Sequence, residues 1–592
     1  ATSEVVQVSP VSNHIDDALL REPWAQNVDQ IVNLDGHSVR RCGKTVKQVA
    51  TLGPDSWSKE MIERLFLCGV DVFRLNFSHL KHDEGETIIK NIRACEEKYM
   101  HPIGILADLQ GPKQRCGVFS DPAGVNLVAG QRFRFDLDRT PGDDQRVCLP
   151  HPEILEALTP GKTLLVDDGK VKMRVTRCGY TRDGQDTYID AAGERPTEKS
   201  AECQPFVECE VIIAGAISAK KGVNTPDVVL DMSPITPKDR EDIKYACQQR
   251  CDWIALSFVQ GPGDMQELKQ LVQEHTTAEQ LPKLLAKIEK PAAVDTLSEI
   301  LDNSDGVMVA RGDLGVEMSP EEVPYVQKDI ITKANEAGKT VIVATQMLES
   351  MMTLDTPTRA ECSDIANAIL DGCDAVMLSG ETAKGMYPLE CVRMQRRIIE
   401  KGEEKPDAYE RLRLAEDETG EPSSEADGDY MAVLLEDGTT KPLVAATRTL
   451  VHEMDARAVI CFSESGRSVV ELVKQRLGVP IFAMCLRVET ARWLSLLRGV
   501  YAYATVHDKM QWLETRVQRK ERDIRFSEAG EEACRLLREK GMSVDEEDWI
   551  VVLGRSPIYS KGEINSVQLT RAKGPHKTVG HEPPAEPQAA TA

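Results

Sequence analysis

The 592-residue sequence lacks several features that would place it in a specialised class of protein. No apolar run approaches the ~18 residues that a transmembrane helix requires, so no membrane partner is expected. Sixteen cysteines occur without a Cys-x-x-Cys pair or regular spacing, which argues against a disulfide scaffold or zinc module and favours a reduced environment. Basic residues number 72 against 96 acidic ones, and the net charge of −24 argues against nonspecific nucleic-acid binding.

The first forty residues also lack the composition of a targeting segment. They contain no apolar signal-peptide core. They also contain acidic residues such as Asp16, Asp17 and Glu22, whereas transit peptides are poor in acidic residues. A cytoplasmic location is therefore expected.

Eight short apolar segments alternate with segments of helical periodicity. The predicted strands are residues 46–52, 70–75, 103–108, 253–258, 283–289, 306–310, 340–345 and 374–379. Helices are predicted between them, for example over 59–68, 87–98, 237–249, 320–337 and 363–371. Because alternating strands and helices form parallel sheets, eight such units predict an α/β fold, a closed (β/α)8 barrel.

The alternation breaks after the third strand, where alternating short strands and Gly/Asp turns predict an inserted all-β lid. A second break is acidic: residues 401–440 contain 13 acids and 4 basic residues, which is typical of a linker or exposed insertion. The predicted segments are an N-terminal extension (1–44), the barrel (45–112 and 227–400), the lid (113–226), the acidic segment (401–440), a C-terminal α/β domain (441–570) and a disordered tail (571–592).

The fifth predicted strand ends in Lys287 and Glu289, which point to the same side because strand side chains alternate. Asp313 follows the next strand. Two acids beside a lysine suit a divalent cation clamped to a phosphorylated substrate. A surface ion pair is the simpler alternative.

Active sites of such barrels lie at the C-terminal ends of the strands. The polar residues there, taken from six predicted strands, are Arg74, Asn76, Asp108, Lys287, Glu289, Asp313, Thr345 and Ser379. Core packing does not explain this set of cations, carboxylates and hydroxyls at one rim.

A nucleotide would need an unusual mode of binding here. Gly-Lys-Thr triplets begin at Gly43, Gly161 and Gly338, but none has the upstream glycine of a P-loop. The inserted domain above the barrel mouth is a natural lid for such a ligand.

Several segments resemble the signatures of the pyruvate kinase family. They are Ala-Thr-Leu-Gly-Pro at 50–54, Arg-Leu-Asn-Phe-Ser-His at 74–79, Leu-Leu-Ala-Lys-Ile-Glu at 284–289, and the segments 307–315, 344–351, 357–361 and 377–385. The resemblance spans about residues 45–400 and implies a barrel, a mobile lid and a C-terminal regulatory domain, usually in a homotetramer. It implies phosphoryl transfer from phosphoenolpyruvate to ADP, giving pyruvate and ATP in the last step of glycolysis.

The resemblance also implies residue roles. Glu289 and Asp313 would bind Mg²⁺ (or Mn²⁺), Lys287 would neutralise the transferring phosphoryl group, and Arg74 would bind the substrate phosphate. The amides of Gly312 and Asp313 and the Thr345 hydroxyl would hold the substrate carboxylate. A water relayed through Thr345 or Ser379 would protonate the enolate. The family's nucleotide contacts match Asn76, Ser78, His79, Arg115 and Lys221.

The family's monovalent-cation site is altered in this sequence. Asn76, Ser78 and Asp108 match the K⁺ ligands of K⁺-dependent members, but Leu109 and Lys113 stand where those members carry threonine and glutamate. A lysine ammonium can replace K⁺, so K⁺ is not expected to be required, and Asn76, Ser78 and Asp108 form either a vestigial or an actual K⁺ site.

Residues 462–468 resemble the loop that seats an effector phosphate in bisphosphate-activated members. The candidate residues are Ser463, Ser465, Gly466, Arg467 and Ser468. Glu464 stands where many activated members carry a cation, and the later loop around Arg555 also departs from the family pattern. Weak or absent activation by fructose bisphosphate is predicted, with a monophosphate or another metabolite left open.

Two other functions remain possible from the residues. A metal-dependent pyruvate-enolate lyase or aldolase would share the barrel and acid pair, but would not need Lys287, Arg74 or the lid. A catalytically silent scaffold would tolerate loss of a rim residue, yet all are present.

Overall fold

The computed structural model describes residues 31–34, 37–40, 43–189, 203–230, 232–277, 281–404, 440–504, 526–539, 547–555 and 564–572. Eight parallel strands form a closed barrel, which confirms the predicted fold. The barrel strands are Lys47–Leu52, Val72–Asn76, Gly104–Asp108, Trp253–Leu256, Lys283–Ile288, Gly306–Ala310, Thr340–Ala344 and Ala375–Leu378. They are apolar along nearly their whole length because helices and the barrel interior bury both faces.

Helices pack around the barrel. Their bounds are Lys59–Cys68, His82–Tyr99, Pro237–Gln248, Pro262–His275, Pro291–Asp295, Leu297–Asp302, Arg311–Glu317, Val323–Glu336, Arg359–Leu370, Gly380–Ala383 and Pro388–Glu403, with a 3₁₀ turn at Glu349–Met352. Local sequence fixes several starts: Ser58 caps the first helix by accepting from the Met61 N–H, and Thr236 and Asp239 form a capping box.

The insertion after the third barrel strand is all-β apart from one short helix, Pro152–Ala157. Its strands are Val125–Leu127, Arg132–Asp136, Arg146–Cys148, Thr163–Val166, Val171–Arg182, Gln185–Tyr188, Gln204–Ile213, Gly215–Ile217 and Val223–Asn224. Seven of them form one sheet around a core of its own, which includes Phe133 and Phe135.

The C-terminal part is a five-stranded α/β sheet. Its strands, in sheet order, are Val500–Ala504, Ile481–Cys485, Ala458–Ser463, Trp549–Gly554 and the antiparallel Ser566–Arg571. The helices are Thr440–Glu453, Arg467–Lys474, Val488–Leu494 and Phe526–Glu539. Its core is continuous with the barrel interior through contacts that include Trp253 and Leu285, so this domain covers the end of the barrel opposite the predicted rim.

Three elements cross predicted segment limits. The helix Pro388–Glu403 enters the predicted acidic segment, the helix at Thr440 begins one residue early, and the last strand reaches Arg571 in the predicted tail. Composition marks the bulk of a segment, whereas contacts such as the Thr45 N–H to Glu403 carboxylate hydrogen bond (2.9 Å) decide its ends. A strand pair, Ile31–Leu34 with His37–Arg40, lies in the predicted N-terminal extension. Residues 405–439 of the acidic segment and 573–592 of the tail lie outside the described residues.

Candidate active site

Arg74, Asp108 and Lys287 form a buried charge network at the C-terminal rim of the barrel. The Arg74 Nε donates to Asp108 Oδ2 at 2.6 Å, and Lys287 Nζ lies 3.3 Å from Asp108 Oδ1. Burial alone would raise the pKa of Asp108, but the attraction of Arg74 and Lys287 outweighs it and leaves this pKa below its usual value. The carboxylate therefore stays ionised and holds two cations toward the barrel mouth.

Lys287 is the centre of this network. Its ammonium lies 2.8 Å from Glu289 Oε1 and donates to Ser257 Oγ at 2.7 Å. Burial opposes the charged form, yet Asp108 and Glu289 raise the pKa of Lys287 above its ordinary value. A buried lysine that remains charged at the end of a strand is suited to stabilising negative charge on a ligand.

Glu289 and Asp313 supply two carboxylates beside that lysine. Burial raises the pKa of Glu289 to about 7; Lys287 opposes this shift and repulsion from Asp313 adds to it. Bound Mg²⁺ commonly takes one or two protein carboxylates and completes its shell with water and substrate oxygens. Glu289 and Asp313 are two carboxylates and so fit an ion of this kind. Among the described residues there is no larger group, of three or more His, Cys, Asp or Glu, that could hold a metal by itself.

Thr345 lies at the end of the seventh strand in a strained backbone conformation. Its φ is +70° and that of Gln346 is +53°, values that residues other than glycine seldom adopt. The Arg311 guanidinium donates to the Thr345 carbonyl at 2.7 Å, and the Gly312 N–H donates to the Thr345 hydroxyl oxygen at 2.7 Å. The predicted carboxylate-binding groups thus lie together, with the Gly312 N–H directed at the hydroxyl.

Ser379 follows the eighth strand. Its Oγ is buried and makes no hydrogen bond to any residue that the structure describes, while its backbone N–H donates to Glu381 at 2.8 Å. An unpaired buried hydroxyl is costly unless a water or ligand pairs with it, which fits a place beside a bound substrate.

His79 lies close to several basic side chains. Burial lowers its pKa, and the positive charges of Lys113, Lys384, Arg115 and Arg74 lower it further. These four cations therefore lie near His79, and such a group of positive charges can attract phosphate groups.

Asn76 and Ser78 lie beside Asp108 but differ in what they present. Asn76 is opposite Asp108 in the parallel register, and its side-chain oxygen accepts from the Ser78 N–H at 3.1 Å. Both Asp108 oxygens already face Arg74 or Lys287. A monovalent cation among these ligands would compete with two fixed positive charges.

The two cations at the lid's edges, Arg115 and Lys221, lie on neighbouring segments that an isolated β-bridge joins. Arg115 is bridged to Gly222 and donates to the Lys220 carbonyl at 2.7 Å, and Lys221 pairs with Asp167 at 2.9 Å. The fold brings both to the same edge of the lid, but Lys221 is directed at Asp167.

The family assignment follows from comparison with known proteins. Residues 43–392 match the family model of the pyruvate kinase barrel domain, and 442–570 match that of the pyruvate kinase alpha/beta domain. The chain belongs to the pyruvate kinase family. A pyruvate kinase of Methylorubrum extorquens is 42% identical over 78% of this chain and 87% of its own length, and one of Agrobacterium vitis is 40% identical over 90% and 99%.

A solved structure agrees with this assignment. The crystal structure of a pyruvate kinase from Cryptosporidium parvum matches with a TM-score of 0.74 and 29% identity, over 90% of this chain and 96% of that one. Pyruvate kinases are phosphotransferases that generally use a divalent metal. These matches support the predicted kinase, and not the lyase, aldolase or silent-scaffold alternatives.

Sequence reasoning missed three residues of the pyruvate kinase rim. Thr51 accepts from Arg74 at 3.0 Å, Ser257 accepts from Lys287, and the Phe258 N–H donates to Glu289 at 2.7 Å. Ser257 and Phe258 follow the fourth strand, and Thr51 lies near the end of the first. Applying the strand-end rule to those two strands would have found them.

The predicted effector loop connects the strand Ala458–Ser463 to the helix Arg467–Lys474. Gly466 has φ +81° and donates to Ser463 Oγ at 3.0 Å, and a Cβ at this glycine would lie 2.2 Å from the Trp493 ring. Glu464 pairs with Arg487 at 3.3 Å. Ser465 and Arg467 are exposed, and Ser468 is half-buried. The later loop, beyond Arg555, lies outside the described residues.

Among the described residues, none of the helices is sufficiently long and apolar to span a lipid bilayer.

Proposed function

We propose that this chain catalyses phosphoryl transfer from phosphoenolpyruvate to ADP through the rim network around Lys287. The observation that carries the proposal is a buried, charged lysine between Asp108 and Glu289 with Asp313 nearby. Lys287 would neutralise charge on the phosphoryl oxygens as the bond to the enolate oxygen breaks and the bond to ADP forms. Arg74 would bind the same phosphate.

Glu289 and Asp313 would hold Mg²⁺ or Mn²⁺. The ion would supply Lewis-acid stabilisation of the phosphoryl and enolate oxygens. The Gly312 and Asp313 amides and the Thr345 hydroxyl would hold the substrate carboxylate. The Gly312 N–H would then donate to the carboxylate in place of the Thr345 hydroxyl oxygen.

The enolate left by phosphoryl transfer takes a proton at carbon to give pyruvate. A water held by Ser379 or Thr345 would deliver that proton. The unpaired Ser379 Oγ favours Ser379 as the group that positions the water. The basic surface around His79, with Asn76, Ser78, Arg115 and Lys221, would bind the phosphates of ADP and ATP.

We propose that K⁺ is dispensable. Lys113 is exposed at the hinge into the lid and lines a cleft with Asp313 and Glu317. Its charge would act where K⁺ acts in other members, while Arg74 and Lys287 already compensate Asp108. The domain limits, homotetrameric assembly and cytoplasmic location given above are likewise proposals.

The test is a coupled assay of pyruvate formation from phosphoenolpyruvate and ADP with Mg²⁺. We expect turnover that is lost on chelation with EDTA and recovered with Mg²⁺ or Mn²⁺. Absence of ATP formation, or pyruvate released without ADP, would contradict the proposal.

A further inference from the structure

After the strand Gly104–Asp108 the chain enters the lid through residues 109–113, the lid connection. The N–H groups of Gln110 and Gly111 both donate to Asp239 Oδ1, at 3.0 and 3.2 Å. Asp239 belongs to the barrel helix Pro237–Gln248 and is fully buried. One barrel carboxylate therefore holds two consecutive backbone amides at the base of the lid.

The second oxygen of Asp239 serves its own helix. Oδ2 accepts from the Thr236 N–H at 3.0 Å and from the Thr236 hydroxyl at 2.5 Å, and the Asp239 N–H donates back to that hydroxyl oxygen at 3.1 Å. These bonds form the capping box. They occupy one oxygen of the carboxylate, so helix capping does not account for the two bonds from the lid connection.

The lid connection also packs on the loop that follows the fourth barrel strand. Gly111 has φ +69°, and a Cβ there would lie 2.6 Å from Phe258 Cδ2, so the backbone passes directly over the Phe258 ring. The Leu109 carbonyl accepts from the Ser257 hydroxyl at 2.7 Å. Glycine permits both the backbone conformation and the close approach at this position.

Ser257 and Phe258 in turn hold two residues of the rim. Ser257 Oγ accepts from Lys287 at 2.7 Å, and the Phe258 N–H donates to Glu289 Oε2 at 2.7 Å. Phe258 has φ +58°, a conformation that a bulky residue keeps only when its surroundings impose it. A shift of the lid connection would therefore reach Lys287 and Glu289 through a contiguous set of contacts.

Beyond Lys113, the two segments that join the lid to the barrel pair with each other. The Val223 N–H donates to the Gln114 carbonyl at 3.0 Å. Pro112 and Lys113 lie between this pair and the amides that Asp239 holds. Bending of the lid connection is therefore concentrated at these two residues, as expected of a hinge.

We infer that Asp239 is a positioning residue for the reaction. It fixes the base of the lid, so that closure bends the chain at Pro112 and Lys113 and leaves Ser257 and Phe258 undisturbed. The inference rests on the proposed function, in which cations of the lid bind the phosphates of the nucleotide. Without the Asp239 carboxylate, lid movement would pull the lid connection away from the Phe258 ring and misplace the nucleotide contacts.

The first test is hydrogen–deuterium exchange of the full chain without substrates, followed in peptides that contain Gln110 and Gly111. Asp239→Ala removes the acceptor, so these amides should exchange at least about tenfold faster than in the wild type. Asp239→Glu keeps the charge and a residue suited to the capping box, but its extra methylene shifts the carboxylate from the position that the two amides require. It should show the same faster exchange, and it serves if Asp239→Ala fails to fold.

Two further variants separate the hinge from the helix cap. Asp239→Asn keeps an oxygen at the Oδ1 position and should preserve the protection of the two amides. Thr236→Ala is the matched control, because it weakens the same cap and leaves Asp239 Oδ1 in place. The amides of the lid connection should remain protected in this variant.

The second test is steady-state kinetics of the same proteins. Asp239→Ala and Asp239→Glu should raise KM for ADP by about tenfold and lower kcat, because the lid no longer closes in register with the rim. Asp239→Asn and Thr236→Ala should stay within about twofold of the wild type.

Three results would overturn the inference: unchanged exchange in Asp239→Ala and Asp239→Glu, equal loss of protection in Thr236→Ala, or an unchanged KM for ADP despite faster exchange. Wild-type turnover separates the two proposals. An inactive wild-type enzyme would refute the proposed function, whereas an active one whose Asp239 variants all behave like the wild type would refute only the role of Asp239.

Discussion

At the scale of single residues, the rim depends on charges that compensate one another. Lys287 remains charged because Asp108 and Glu289 outweigh its burial. We expect Lys287 to stabilise the transition state more than the bound substrate, because negative charge develops on the phosphoryl group only as the reaction proceeds.

Lys287→Met should therefore lower kcat by about two orders of magnitude or more while KM for phosphoenolpyruvate changes little. Steady-state kinetics of the purified variant measures this. Lys283→Met, at the opposite end of the same strand, is the matched control and should keep most of its turnover. A Lys287→Met enzyme that retains more than about a tenth of the wild-type kcat would exclude the role.

Lys113 carries the second prediction at this scale. In buffer free of sodium and potassium, with tetramethylammonium as counterion, the enzyme should turn over without K⁺. Lys113→Glu should become K⁺-responsive, because a carboxylate would remove the built-in positive charge and create a cation ligand. Lys162→Glu, the same charge change elsewhere on the lid, should not respond. Wild-type activity that appears only on adding K⁺ would contradict the prediction.

At the scale of elements, the helix His82–Tyr99 is tied to the C-terminal helix Val488–Leu494 by a buried ion pair. Arg492 Nε lies 3.0 and 2.9 Å from the two oxygens of Glu96, and Arg93 donates to the same carboxylate at 2.9 Å. Burial raises the pKa of Glu96, but these partners outweigh it and leave the pKa below 4.5. The pair fixes the barrel against the C-terminal domain.

Glu96→Gln should lower the free energy of unfolding near neutral pH by about 3 kcal/mol, because it removes the carboxylate that pairs directly with buried Arg492. The folded-state pKa is lowered, so this stabilisation is present above the unfolded value of about 4.5 and is lost as pH falls below it. Denaturant unfolding at several pH values should show the two proteins converging on acidification. The exposed neighbour Glu97→Gln should match wild type throughout; equal loss in that variant would attribute the effect to helix charge alone.

Most of the rim residues could be predicted from their positions at the C-terminal ends of the barrel strands. Six of the eight barrel strands end near a rim residue that the sequence identified, because period-two alternation and parallel pairing bring those side chains to one edge. The first and fourth strands were not considered: Thr51 lies near the end of the first, and Ser257 and Phe258 follow the fourth. The strained backbone of Thr345 was not foreseeable either, and its carbonyl accepts a hydrogen bond from Arg311, which is 34 positions away in sequence.

At the scale of the whole molecule, the C-terminal domain lies at the far end of the barrel from the rim. The predicted effector loop carries Glu464, and Arg487 pairs with it at 3.3 Å. A bisphosphate approaching this face would meet a carboxylate and compete with an existing ion pair.

Micromolar fructose bisphosphate should therefore leave the half-saturation concentration of phosphoenolpyruvate nearly unchanged. The measurement is a substrate titration with and without the bisphosphate. Glu464→Lys, which places a cation there, should increase sensitivity, whereas Glu489→Lys, on the adjoining helix, controls for added charge. A large drop in half-saturation for the wild-type enzyme would refute the prediction.

The sequence alone determined the barrel, the inserted lid, the family and the main rim charges. Each follows from local periodicity or from contiguous motifs that need no distant partner to be recognised. Tertiary structure alone decided the Ser257 and Thr51 contacts, the strain at Thr345, the Glu96–Arg492 tie and the hydrogen bonds that anchor the lid connection on Asp239. These features join residues up to 396 positions apart, and such pairings arise from packing, which sequence periodicity does not encode.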